Sequence, residues 1–109
     1  MDQVVRTQRD GHIATVWLAN PKKRNAMGDE FFKQIGETFQ ELGADPQVRA
    51  IVVAAEGPAF TVGLDLVAMQ STLAPTGGPI EQRQHIQKEV VRLQNSFNAI
   101  YDCPVPVIA

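Results

Sequence analysis

The chain has 109 residues, 44% of them apolar and 20% charged, with a net charge of −2 at pH 7, which bounds it to one globular domain at most. Its ten Lys and Arg are scattered and outnumbered by twelve acids, which speaks against a nucleic-acid partner. The single Cys103 cannot form an internal disulfide and points to a reducing compartment, the cytoplasm, while the polar opening "MDQVVRTQRDGH" carries neither a signal peptide nor a membrane span.

From His12 to Asn20, "HIATVWLAN" is β-branched and aromatic between Gly11 and a polar loop, so it predicts a strand, with Trp17 in the core. A short strand over Val4 to Arg6 is expected to pair with it across "TQRDG". In "GDEFFKQIGETFQELGAD", Asp29 offers a helix cap, and Phe32, Ile35, Phe39 and Leu42 recur at helical spacing, with Gly43 near the stop. The continuous apolar run "VRAIVVAAEG" predicts a strand buried on both faces. Together these make a β–α–β unit whose helix covers one face of the sheet.

Ser71 to Pro79, "STLAPTGGP", is rich in breakers and reads as a mobile surface loop. Beyond it Ile86, Val90, Leu93, Phe97 and Ile100 form one apolar stripe along a helix from about Ile80 to Tyr101. A turn at "DCPVP" leads into "VPVIA", the start of a further buried strand, and a strand ending there predicts that residues 1–109 are the front portion of a longer polypeptide.

The chemistry concentrates in "EGPAFTVGLDL", residues 56–66. Gly63 can adopt angles closed to other residues and lets a ligand approach the main chain, and Asp65 can cap a short helix through "LVAMQ". Amides near residues 64 to 66 would then form an anion cradle, worth roughly 3 kcal/mol per good donor to a developing oxyanion. A plainer reading stands beside it, in which Gly63 only permits a turn and Asp65 only caps a helix.

His12 and His85 lack partners at metal-ligand spacing and are assigned structural or solvent roles, and Cys103 that of a small buried residue. Ser71 and Ser96 lack a nucleophile elbow, which argues against a hydrolase.

"NPKKRNAM", then "VRAIVVAAEGPAFTVGLDL", then "RLQNSFNAIYDCPVPVIA" resemble, in family order, the enoyl-CoA hydratase/isomerase (crotonase) family, and "GLDL" with "AMQS" most resembles its dienoyl-CoA isomerases. The resemblance implies an α/β fold, a crotonase-type spiral of strand–strand–helix units of the ClpP/crotonase-like kind, with this chain as the N-terminal part of one domain. It implies an acyl-CoA thioester as substrate, no cofactor beyond the CoA that arrives with it, and a homotrimer or homohexamer. It assigns the Leu64 backbone N–H to an oxyanion hole and the main chain of Val62, Gly63, Leu64, Asp65 and Leu66 to substrate contacts. Arg24, Asn25 and Ala26 match the first loop along the CoA, where Lys22 or Arg24 either meets phosphate or belongs to a solvated basic turn. Val62 departs from the usual alanine and would narrow the entrance. Hydratase and isomerase both stand open, as does a member that binds without catalysis. The family's second donor and its acids follow the matched motifs, so no general acid or base is assigned in this chain.

Overall fold

A computed structural model describes residues 3–74 and 77–109. β1 (Val5–Asp10) and β2 (Ile13–Leu18) form an antiparallel hairpin, β3 (Ala50–Ala55) lies parallel to β2, and the short β4 (Val107–Ile108) lies parallel to β3, giving the sheet order β1-β2-β3-β4. α1 (Asp29–Ala44) makes the crossover between β2 and β3. The one-turn α2 (Gln70–Leu73) and the long α3 (Pro79–Tyr101) connect β3 to β4.

The hairpin is longer than the sequence predicts. Its first strand runs through to Asp10, and the chain reverses at Gly11, whose φ of +59° favours glycine in such a tight turn.

One sheet face carries Ala14, Val16 and Leu18 of β2, in register with Ile51, Val53 and Ala55 of β3. Against it α1 buries Phe32, Ile35, Phe39 and Leu42, the helical spacing read from the sequence, and Phe31 besides. Each such side chain contributes about 1.5–3 kcal/mol by leaving water. Gln34 Oε1 joins the strand to the helix by accepting the Val4 and Val5 amides at 2.8 and 3.0 Å.

The opposite face is less covered. Only Ile51 of β3 is fully buried, so β3 is not enclosed on both faces by the described residues. Trp17 lies on this outer face, not in the core: its indole N–H donates to Gln8 Oε1 at 3.0 Å, and the Arg6 guanidinium sits 5.0 Å from the ring centre. Alternation along β2 decides this, because burying Val16 and Leu18 turns Trp17 outward.

α3 crosses α1 closely at Gly36, where an added Cβ would lie 3.5 Å from Ser96 Cα. Phe97 joins Phe31 and Phe32 in an aromatic trio with centroids 5.5–6.4 Å apart. The predicted stripe is nevertheless incompletely buried: Leu93 and Ile100 pack on the core, while Val90 and Phe97 remain about 40% exposed. β4 likewise leaves Ile108 exposed, and Cys103 is half-buried.

Asp29 is the first residue of α1 and not its cap, which is Gly28. Its carboxylate accepts from Thr72 Oγ1 at 2.6 Å and from Arg92 Nη2 at 3.0 Å, so it ties α1 to α2 and α3. Of the breaker-rich stretch, residues 71–73 belong to α2 and Pro79 opens α3, while residues 75 and 76 lie outside the described residues.

Candidate functional site

Two loops leave the sheet side by side. The first, after β2, makes a 3₁₀ turn at Pro21–Lys23 and then passes through Arg24 and Asn25 at φ 52° and 57°. The second leaves β3 through Gly57, at φ +89°, where a Cβ would lie 2.7 Å from Pro21 Cβ. Only glycine meets both demands there, the positive φ and the close approach.

Asn25 clamps the pair. It is 3% exposed, and its Oδ1 accepts the Asn20 amide at 2.8 Å. Its Nδ2 donates to the carbonyls of Glu56 and Ala59 at 3.0 and 3.1 Å. A buried amide side chain with these partners is the expected device for locking two loops without secondary structure. Glu56 is held further by Arg6, whose Nε and Nη2 donate to its Oε1 at 2.9 and 2.6 Å.

Beyond the clamp the loops meet in one isolated parallel bridge, Met27 with Leu64. The Met27 amide donates to the Gly63 carbonyl at 2.8 Å, and the Asp65 amide donates to the Met27 carbonyl at 2.9 Å. In such a bridge the flanking residues make both bonds, so the N–H and C=O of Leu64 face away from Met27. The Gly63 amide donates to Thr61 Oγ1 at 3.1 Å. Of the three amides from Gly63 to Asp65, only that of Leu64 has no acceptor among the described residues.

Gly63 has φ +92°, and nothing lies within 4 Å of where its Cβ would stand. Glycine is needed here for the backbone angle, and the adjacent space is open to an approaching group. Asp65 caps a turn and not a longer helix: its Oδ1 accepts the Ala68 amide at 3.0 Å and its carbonyl accepts that of Met69 at 3.0 Å, while α2 begins only at Gln70. Lys23 Nζ stands 4.0 Å from Asp65 Oδ2. The side chains of Val62 and Leu66 are exposed, and Leu64 is borderline at 36%.

In the first loop, the Ala26 amide donates to the Lys23 carbonyl at 3.0 Å, next to the bridge. Arg24 and Lys22 are exposed and have no acidic partner among the described residues. An apolar cavity of about 690 Å³ opens nearby, lined by Met27, Phe31, Phe60, Thr61, Phe97 and Val107 among others.

The structure thus brings Met27, next to Ala26, against Gly63 to Asp65. Sequence reasoning missed the Asn25 side chain, Gly57 and Thr61. The αL tolerance of Asn and the "EGP" turn were the available signals, but their partners lie some thirty residues away.

No helix among the described residues is long and apolar enough to cross a membrane, and no cluster of three metal-ligating side chains occurs among them.

A mixed sheet with a helical crossover, and at a glycine bend a main-chain amide without an acceptor among the described residues, define an α/β protein. Comparison with known proteins makes this specific: residues 8–109 match the family Enoyl-CoA hydratase/isomerase, and the chain belongs to that family. It is 37% identical over 105 residues to the mitochondrial Delta(3,5)-Delta(2,4)-dienoyl-CoA isomerase of Homo sapiens, covering 94% of this chain and 32% of that protein. To the isomerase of the same name from Rattus norvegicus it is 38% identical over 109 residues, covering 98% of this chain and 33% of the relative. A crystal structure of an enoyl-CoA hydratase from Mycobacterium smegmatis superposes with a TM-score of 0.80 at 32% identity, over 97% of this chain and 38% of that one. The fold is that of the crotonase-type enoyl-CoA hydratases. The chain spans about a third of the length of these curated relatives.

Proposed function

We propose that the polypeptide carrying this chain binds an acyl-CoA thioester and acts in fatty acid metabolism as an enoyl-CoA hydratase or dienoyl-CoA isomerase. The observation that carries this reading is the Leu64 amide, the one N–H between Gly63 and Asp65 without an acceptor among the described residues. The names of the human and rat relatives favour isomerisation, and the Mycobacterium smegmatis structure favours hydration.

Both reactions shift negative charge onto the thioester oxygen, by addition of water to the double bond or by movement of a proton along the acyl chain. A fixed N–H aimed at that oxygen stabilises the transition state more than the ground state, by about 3 kcal/mol. In this reading Leu64 is the donor, the main chain from Val62 to Leu66 holds the CoA arm, and Ala26 flanks it. Arg24 and Lys22, lacking acidic partners among the described residues, reach for phosphate.

Proton transfer needs a carboxylate within hydrogen-bond reach of the moving proton. Asp65 accepts from Ala68 and Glu56 from Arg6, and the part of general acid or base is assigned to neither. The redox-neutral chemistry requires no metal or redox cofactor, and CoA comes with the substrate. Exposed apolar side chains on α3, Val91 and Tyr101 among them, suit burial in a homotrimer or homohexamer. The single thiol suits a reducing compartment, the cytoplasm in our reading, whereas the human and rat relatives are named mitochondrial.

The test is to offer the polypeptide a 2-enoyl-CoA and a 3,5-dienoyl-CoA, following binding by calorimetry and turnover by ultraviolet absorbance. Binding with consumption of either thioester is expected. Binding without consumption would favour a family member that only binds, and absence of binding would remove both readings.

A further inference from the structure

The Gly63 amide is held inside the bend by Thr61, whose hydroxyl also donates to the Asn25 carbonyl at 2.6 Å while accepting from Gly63 at 3.1 Å. A hydroxyl has one proton, so the direction of this relay is set: the proton goes to Asn25 and a lone pair faces Gly63. The anchor is firm, because Asn25 is buried and bonded to Asn20, Glu56 and Ala59. On the other side Met27 accepts the Asp65 amide.

We propose that Thr61 is a positioning residue that determines which amide of the bend is offered to a ligand's oxygen, by engaging Gly63 N–H and leaving Leu64 N–H free. This rests on the reading of Leu64 as the oxyanion donor. Without the hydroxyl, the Gly63 amide becomes a second free donor. The glycine, at φ +92° with open space beside it, then gains freedom to rotate. Leu64 N–H shares its planar peptide unit with the Gly63 carbonyl, so only the Met27 amide on that carbonyl is then left to hold its direction, and its aim loosens. The cavity wall formed by Thr61 is preserved by valine, which replaces the hydroxyl with a methyl of similar size, while serine keeps the hydroxyl and drops the methyl.

The experiment compares wild type, Thr61→Val and Thr61→Ser in the polypeptide that carries this chain. It measures steady-state kinetics on whichever of the two thioesters the wild type consumes, together with residue-resolved amide hydrogen exchange in the absence of ligand. A misaimed donor removes an interaction made mainly in the transition state, so Thr61→Val should lower kcat about tenfold or more with KM changed less than about threefold. Thr61→Ser should restore kcat to near the wild-type value. Gly63 should exchange slowly in wild type and Thr61→Ser and rapidly in Thr61→Val, with Leu64 rapid in all three.

An unchanged kcat in Thr61→Val, a loss that serine does not rescue, or a Gly63 amide exchanging as fast as Leu64 in the wild type would each overturn the assignment. If Thr61→Val does not fold, Thr61→Ala removes the same hydroxyl with less bulk and takes its place. Should the wild type consume neither thioester, the proposed function fails by itself, and the exchange rates alone decide whether Thr61 holds Gly63.

Discussion

Met27 and Leu64 lie opposite one another in a bridge one residue long, with the Met27 amide on the Gly63 carbonyl at 2.8 Å and the Asp65 amide on the Met27 carbonyl at 2.9 Å. That contact joins the two sequence motifs and turns the Leu64 amide away from the Met27 segment.

Replacing Gly63 tests the bend. At φ +92° a β-branched residue strains the backbone by about 1–3 kcal/mol, and its side chain would fill the open space beside the Leu64 amide. Gly63→Val should abolish binding of an acyl-CoA in calorimetry. Unchanged affinity would place the ligand elsewhere.

The clamp should matter for stability as well as geometry. Asn25→Ala leaves the Asn20 amide and the carbonyls of Glu56 and Ala59 without their partner. These groups are part-buried, so water can replace some of the lost bonds; at about 0.5–1.5 kcal/mol for each, a loss of about 1.5 kcal/mol or more is expected in urea unfolding. A change below about 0.5 kcal/mol, the size of an ordinary surface substitution, would show that the loops do not depend on it.

Core packing under the sheet gives a third outcome. Phe39 is 1% exposed at the centre of the cluster between α1 and the strands. Phe39→Ala should lower stability by about 3–5 kcal/mol by leaving a cavity. A much smaller loss, again by urea unfolding, would mean that α1 is not seated as described.

Asp29 introduces a pH dependence. The Thr72 hydrogen bond acts most strongly and lowers its carboxyl; burial opposes it as the next influence, and Arg92 adds enough to keep the carboxyl below the usual carboxylate value. A depressed folded value means that Asp29 contributes stability above its unfolded pKa of about 3.9 and loses it as pH falls through the lower folded value. Asp29→Asn should therefore lower the urea midpoint at about pH 7, and the gap from wild type should narrow as pH falls below about 4. A gap that is the same at both pH values would contradict an electrostatic origin. Because Asp29 is half exposed, the effect should also shrink with added salt.

Local periodicity made α1 and α3 legible, since residues such as Ile35, Phe39 and Leu42 reveal a helix face by their spacing alone, and a continuous apolar run did the same for β3. The glycine bend was legible for the same reason, a short motif with its own backbone demand. Trp17 was not, because β2 alternates two plausible faces, and only the seating of α1 on Ala14, Val16 and Leu18 decides which one is covered. Asp29 reads as a cap in its local window, yet its partners Thr72 and Arg92 are set by the approach of α2 and α3. Asn25 and Thr61 escaped for the same cause: their hydrogen bonds cross between loops brought together by the sheet.

The most direct measurement is a crystal structure of the polypeptide carrying this chain with an unreactive acyl-CoA thioether or thioester analogue bearing a carbonyl oxygen. That oxygen should lie about 2.7–3.1 Å from Leu64 N, with Gly63 N–H still on Thr61. A carbonyl bound away from Leu64, or a Leu64 amide paired with the protein's own backbone in the complex, would contradict the proposed site.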